Sequence, residues 1–278
     1  MTSGSLYLLA AFTLDPTGGN PAGVWIGDSF PETEEMQRIA ADVGFSETAF
    51  VTPRSGFDRN VRYFSPEAEV SFCGHATIAT GVLLGETVGE GRYRLTTGVG
   101  VVSVDVRSKD GHMLASLTSV EPTQKAASDD LVAGALAALR WDVAELDKSI
   151  PPACAYAGAW HLVLAVATLS HLQELDYHFE ELRKIMLREN LTTLQLVWRQ
   201  SPNLFHSRNP FPVGGVIEDP ATGAAAAALG GYLRASKLVQ VPTQITIRQG
   251  EAMERPSELL VDIPAEGGIV VTGTAVRL

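Results

Sequence analysis

Gly74-His75-Ala76-Thr77-Ile78-Ala79-Thr80-Gly81-Val82-Leu83-Leu84-Gly85 aligns without a gap on Asp219-Pro220-Ala221-Thr222-Gly223-Ala224-Ala225-Ala226-Ala227-Ala228-Leu229-Gly230, sharing Ala-Thr and a closing Leu-Gly. Each copy follows a polar turn and runs into small and aliphatic residues, as a helix buried against a sheet does. The first turn of such a helix carries unpaired N–H groups and the positive end of the helix dipole, so each copy offers an anion site without Lys or Arg. Two copies imply two lobes. If the lobes face one another, both helix starts can hold a carboxylate or a developing enolate-like oxygen. Tight helix packing through Gly and Ala, with no ligand, is the plainer alternative for either copy.

The 278 residues suffice for one large or two mid-sized domains, and 45% hydrophobic with 19% charged residues is a globular composition. A formal charge of −11 without any run of Lys or Arg opposes binding to nucleic acid or an anionic membrane. An anionic substrate must therefore be drawn by local donors. Cys73 and Cys154 are the only cysteines and have no CxxC or His-rich neighbourhood, so neither a zinc site nor a disulfide framework is expected and a cytoplasmic location fits. No segment approaches a membrane span, and no basic leader precedes an apolar stretch.

Strands are expected at Ser5–Phe12, Gly23–Ile26, Thr48–Thr52, Val61–Phe64, Tyr93–Thr97, Val99–Val106 and Met113–Leu117. Between them Met36, Ile39, Ala40 and Val43 share one helical face, with Pro31 in the first turn and Gly44 closing the helix. Residues Glu121–Ser128 read as a linker, with Ser128 capping the helix that follows. The second half repeats the mixture. Strands are expected at Trp160–Val166, Leu194–Trp198, Gln244–Arg248, Leu259–Ile263 and Gly268–Thr272, with an amphipathic stretch at Leu172–Leu187. The class is α+β, with lobes at 1–120 and 121–278 and a last strand free to return to the first lobe. Neither GxGxxG nor GxxxxGK[ST] occurs, so nucleotide binding has no support.

Glu47 stands just after a helix and at the entrance to an apolar strand, where partial desolvation would raise its pKa and suit it to take and return a proton. Local sequence alone favours a surface turn, paired with Arg54 or Arg62. His75 is either a group that polarises a substrate oxygen or a helix-start residue bonded to its turn. Asp219 is an acid, a helix N-cap, or both. Glu218 is expected to face solvent. Cys73 is an inert buried thiol or a thiolate base beside a helix start; in the gapless alignment the place equivalent to it in the second copy falls at Glu218.

Gly19-Asn20-Pro21-Ala22-Gly23-Val24, Phe45-Ser46-Glu47-Thr48-Ala49-Phe50-Val51, Arg62-Tyr63-Phe64-Ser65-Pro66, Phe72-Cys73-Gly74-His75-Ala76-Thr77 and Glu218-Asp219-Pro220-Ala221-Thr222-Gly223 together resemble the phenazine-biosynthesis PhzF-like isomerases, distant relatives of diaminopimelate epimerase. The resemblance implies two pseudo-symmetric lobes, each a mixed sheet or half-barrel around a central helix, and a homodimer without metal or organic cofactor. It implies Glu47, His75 and Asp219 as catalytic residues. Asn20, Ser46, Gly74, Gly223 and Ala224 are the substrate-binding positions that follow. Where the motif usually continues with Ser, this chain has Ala224, which keeps the backbone N–H but loses a hydroxyl. Residues Ser201–Val216, rich in Pro, also depart from the family pattern.

The expected activity is a cofactor-independent isomerisation that moves a proton within a small carboxylate substrate, an amino acid or a secondary-metabolite acid, in a biosynthetic pathway. A cysteine-assisted amino-acid epimerase or racemase and a non-catalytic metabolite-binding protein are the alternatives.

Overall fold

The structure is a computed structural model that describes residues 4–278. The chain is α+β, with a large mixed sheet and six helices among the described residues. It divides into two compact units, one comprising the chain up to Thr118 together with Thr272–Leu278, the other Ser119–Val271.

In the first unit β1 (Gly4–Ala11) pairs antiparallel with β2 (Asn20–Gly27), which runs parallel to β3 (Thr48–Pro53). Helix α1 (Thr33–Val43) makes the β2-to-β3 crossover. It buries Met36 and Ala40 and ends at Gly44, whose φ of 70° is the left-handed conformation that glycine adopts without strain. Pro31 lies just before this helix, outside its first turn. Strands β4 (Asp58–Phe64), β5 (Glu69–Val70), β6 (Gly91–Thr97), β7 (Gly100–Lys109) and β8 (His112–Thr118) complete the strands of this unit, β6 running parallel to β4. Helix α2 (Gly74–Thr87) is buried continuously from His75 to Gly85 and packs on β1, β2, β3, β7 and β8. Such burial on all sides explains why its sequence has no polar face.

The second unit contains β9 (Thr123–Ala126), α3 (Asp129–Leu139), β10 (Ala153–Tyr156), β11 (Trp160–Ala165), α4 (Leu169–Gln173), α5 (Phe179–Arg188), β12 (Thr193–Ser201), β13 (Leu204–Arg208), α6 (Gly223–Ala235), β14 (Thr243–Gln249) and β15 (Ser257–Ile263). Strand β16 (Val270–Gly273) lies at the division, and β17 (Ala275–Arg277) pairs antiparallel with β1 and packs on α2. Helix α6 buries Ala225 to Leu233 against β9, β10, β11, β12 and β15.

One expectation is corrected and two stretches gain detail. The Glu121–Ser128 stretch contains β9, whose backbone pairs with β10 although its side chains are largely exposed; Ser128 caps α3 as expected, accepting from the N–H of Leu131. The amphipathic Leu172–Leu187 stretch takes in the end of α4 and most of α5. The Pro-rich Ser201–Val216 segment contains β13, antiparallel to β12 and parallel to β14.

The repeat is also offset from its gapless reading. Helix α2 starts at Gly74 with Cys73 as N-cap, whereas α6 starts at Gly223 with Thr222 as N-cap. Pro220 disfavours helical dihedrals at Asp219, so the helix does not begin on that residue. Matched by helix start, Cys73 corresponds to Thr222 and not to Glu218, and Gly81 corresponds to Gly230. A Cβ at Gly81 would lie 2.8 Å from Ala115 Cβ, and one at Gly230 would lie 3.0 Å from Ile269 Cγ2. Both helices thus use glycine at the same step to approach their sheets closely.

Candidate active site

In the first unit the short link after Gly44 carries Ser46 and Glu47 directly to β3. The carbonyl of Glu47 accepts from the N–H of Gly23, which anchors the link to β2. The Glu47 side chain is 22% exposed and His75 is 9% exposed, with Glu47 Oε2 3.4 Å from His75 Nε2. Ser46 Oγ lies 3.4 Å from the same nitrogen. Against the same ring, Cys73 Sγ is 3.4 Å from Nδ1 and 3.8 Å from Nε2. The surface pairing of Glu47 with Arg54 or Arg62 is absent: Arg54 bonds Thr96, and Arg62 forms a two-point bridge to Glu69.

A buried relay fixes the start of α2. Thr77 Oγ1 donates to the Cys73 carbonyl at 2.6 Å, so its remaining short contact, 2.7 Å to Tyr63 Oη, is one it accepts. Burial pushes the Tyr63 phenol well above its ordinary pKa, which keeps it a donor. Neither N-cap side chain, Cys73 or Thr222, takes up an N–H of its own helix. A bound anion is one remaining way to satisfy those groups.

Asp219, Gly223 and Ala224 belong to a second group, around the start of α6. Thr222 Oγ1 donates to Asp219 Oδ2 at 2.5 Å, and Gln249 Nε2 donates to the Asp219 carbonyl at 2.7 Å. Gln249 Oε1 accepts from the Thr222 N–H, and the Asp219 N–H reaches the Asn209 carbonyl. Asp219 is therefore not the N-cap; it is the carboxylate of a turn held by β14 and by the segment after β13. Asn20 stands at the start of β2, buried, opposite Ala11.

Glu218 is corrected from solvent-facing to buried. Its carboxylate takes Nε and Nη2 of Arg208, the latter at 2.5 Å, and the two side chains are 3% and 13% exposed. The Arg208–Glu218 pair and Gln249 support the group at the start of α6, the Tyr63–Thr77 relay supports that at the start of α2, and all escaped the sequence reading. Their partners lie 10 to 30 residues apart in the chain, and no local pattern announces them.

The curated proteins that this chain resembles are named as isomerases. It is 30% identical over 279 residues to an uncharacterized isomerase, YfhB, of Bacillus subtilis, covering 96% of this chain and 94% of that one. It is 31% identical to the trans-2,3-dihydro-3-hydroxyanthranilate isomerase of Pseudomonas fluorescens, covering 94% and 90%. Among solved structures, the phenazine biosynthesis protein of the PhzF family from Bacillus anthracis superposes with a TM-score of 0.86 at 26% identity, covering 100% of this chain and 97% of that one. The fold and these likenesses define the class, an isomerase. The chain belongs to the PhzC-PhzF family of phenazine biosynthesis-like proteins, whose model matches residues 9–278.

Proposed function

We propose that this PhzF-like isomerase moves a proton within a small carboxylate substrate without a cofactor, Glu47 removing the proton from an activated carbon and returning it at another. The observation that carries this reading is the Glu47–His75 contact of 3.4 Å beside the uncapped start of α2. A mostly buried carboxylate next to a ring able to donate is suited to proton transfer, and oriented N–H groups suit charge that develops on a substrate oxygen. In this proposal His75 and Ser46 orient Glu47 and the substrate. Gly74 supplies backbone approach and Asn20 holds a polar group of the substrate; Asp219, Gly223 and Ala224 are proposed as the binding group that the second unit offers at the start of α6.

A two-thiol epimerase is less well supported. The place that Cys73 takes at α2 belongs to Thr222 at α6, and Cys154 is buried in β10, where burial raises its pKa.

The test starts with the substrate of the Pseudomonas fluorescens relative as a probe, followed by amino and hydroxy acids of similar size, in deuterated water. Deuterium entering the product, with Glu47→Gln slowing turnover by about 10²-fold or more, is the expected result. Turnover by Glu47→Gln at the wild-type rate would remove Glu47 from the chemistry.

A further inference from the structure

Three helices of the second unit begin after a Ser or Thr, residue types that cap a helix by accepting an N–H of its first turn. Ser128 takes the Leu131 N–H of α3 and Thr168 takes the His171 N–H of α4, each with an extended backbone, ψ 150° and 149°. Thr222 has the same chemistry at α6 and does not cap; its ψ is 88°. A group outside the helix holds it.

That group is the Gln249 amide, buried at the last residue of β14. Its Oε1 accepts from the Thr222 N–H at 3.2 Å and from Ser207 Oγ at 3.3 Å. Its Nε2 donates to the Asp219 carbonyl at 2.7 Å and to Thr222 Oγ1 at 3.1 Å. A backbone N–H on one side and a backbone carbonyl on the other fix which end of the amide is which. Thr222 Oγ1 therefore accepts from Gln249, and its single proton goes to Asp219 Oδ2, 2.5 Å away.

The geometry points to Gln249 as a positioning residue of the isomerase: it holds Thr222 out of the N-cap conformation, with the hydroxyl on the Asp219 carboxylate, and so keeps the first-turn N–H groups of α6 open to the substrate. Helix stability is given up for this, since a Thr cap bond ordinarily adds to it. The benefit to the substrate rests on the proposed binding role of Asp219, Gly223 and Ala224; the direction of the hydroxyl does not.

Amide hydrogen exchange at Ala224 and Ala225, the second and third residues of α6, is followed by NMR on the full isotope-labelled chain without substrate. Gln249→Met keeps the length of the side chain and removes its polar atoms. Thr222 can then relax to the geometry of Ser128 and cap, so one of the two amides should exchange about fivefold or more slowly than in wild type. A merely structural loss would speed exchange instead. Thr222→Val should leave both rates within about twofold of wild type, and added to Gln249→Met it should abolish the slowing. Unchanged or faster exchange in Gln249→Met, or faster exchange at either amide in Thr222→Val, overturns the assignment; Thr222→Val decides even if Gln249→Met fails to fold. In turnover of the Pseudomonas fluorescens relative's substrate, Gln249→Met should raise KM about tenfold with kcat within about twofold of wild type. A lower kcat at unchanged KM is the mark of lost folded enzyme and overturns the positioning role. Exchange decides whether or not that substrate is turned over, so its failure is distinct from any failure of the proposed reaction.

Discussion

Glu47 Oε2 and Ser46 Oγ converge on one atom, His75 Nε2, each at 3.4 Å. A neutral ring has one proton to share, so when Nε2–H points at Glu47 it orients that carboxylate, and Nδ1 then faces the Cys73 sulfur. Glu47 and His75 should accordingly behave as one unit. His75→Asn is expected to slow turnover by about 10- to 100-fold, and the Glu47→Gln/His75→Asn double variant to lose little more than Glu47→Gln alone. Steady-state kinetics on the four proteins of the cycle measures this; additive losses would mean that His75 acts on the substrate independently.

Gly74 poses a separate question, because its sequence identity has no steric explanation inside the protein. Its φ is not in the left-handed region, and a Cβ placed there would meet nothing within 4 Å. Ala is also the better helix former, by up to about 1 kcal/mol. Gly74→Ala should therefore leave thermal stability equal or slightly raised while turnover falls about tenfold or more, the added methyl standing where a ligand must approach the α2 N–H groups. Full activity in the variant would release Gly74 from the binding role.

The Arg208–Glu218 pair yields a prediction on stability. With side chains 13% and 3% exposed, truncating either partner leaves a buried charge unpaired, at a cost of about 3–5 kcal/mol. Arg208→Met should thus lower stability strongly, and adding Glu218→Leu should restore much of the loss. Arg208 Nη1 also donates to the Gln173 carbonyl, so recovery stops short of wild type. Urea unfolding of wild type and the two variants tests this; a loss below about 1 kcal/mol for Arg208→Met would place the pair with surface bridges.

These contacts mark where sequence reading ends. Helix α1 was legible because Met36, Ile39, Ala40 and Val43 obey helical spacing and Gly44 announces the stop. The α+β class and most strands followed from apolar runs between turn residues. Strand β13 did not, because Leu204–Arg208 carries buried His206 and Ser207 and lies between Pro202 and Pro210. The gapless repeat misplaced the start of α6 by four residues, since identical letters ignore what Pro220 does to Asp219. For the site, Ser46, Glu47, Gly74 and His75 were legible as motif residues. The contact of Cys73 with His75 was not, since it joins side chains two positions apart across the start of α2, where the N-cap backbone is extended at φ −143°.

His161 tests the interior of the second unit. It is fully buried on β11, its Nδ1 bonded to Thr193 Oγ1 at 2.8 Å and its Nε2 without a protein partner. Burial lowers its pKa from 6.5 to about 3, the Thr193 contact opposing this only in part. The ring is thus neutral in the folded protein down to about pH 3, while in the unfolded chain it protonates below its ordinary value of 6.5. Between those limits the unfolded state binds the extra proton, so stability falls as the pH falls. The loss from this one group between pH 7 and pH 5 is about 2 kcal/mol. His161→Leu removes the titration and leaves every other group in place. Denaturant unfolding at the two pH values should show the stability difference between wild type and variant moving by about 2 kcal/mol in the variant's favour at pH 5. A difference that stays constant with pH would mean that the ring gains a proton as readily in the folded protein as in the unfolded chain.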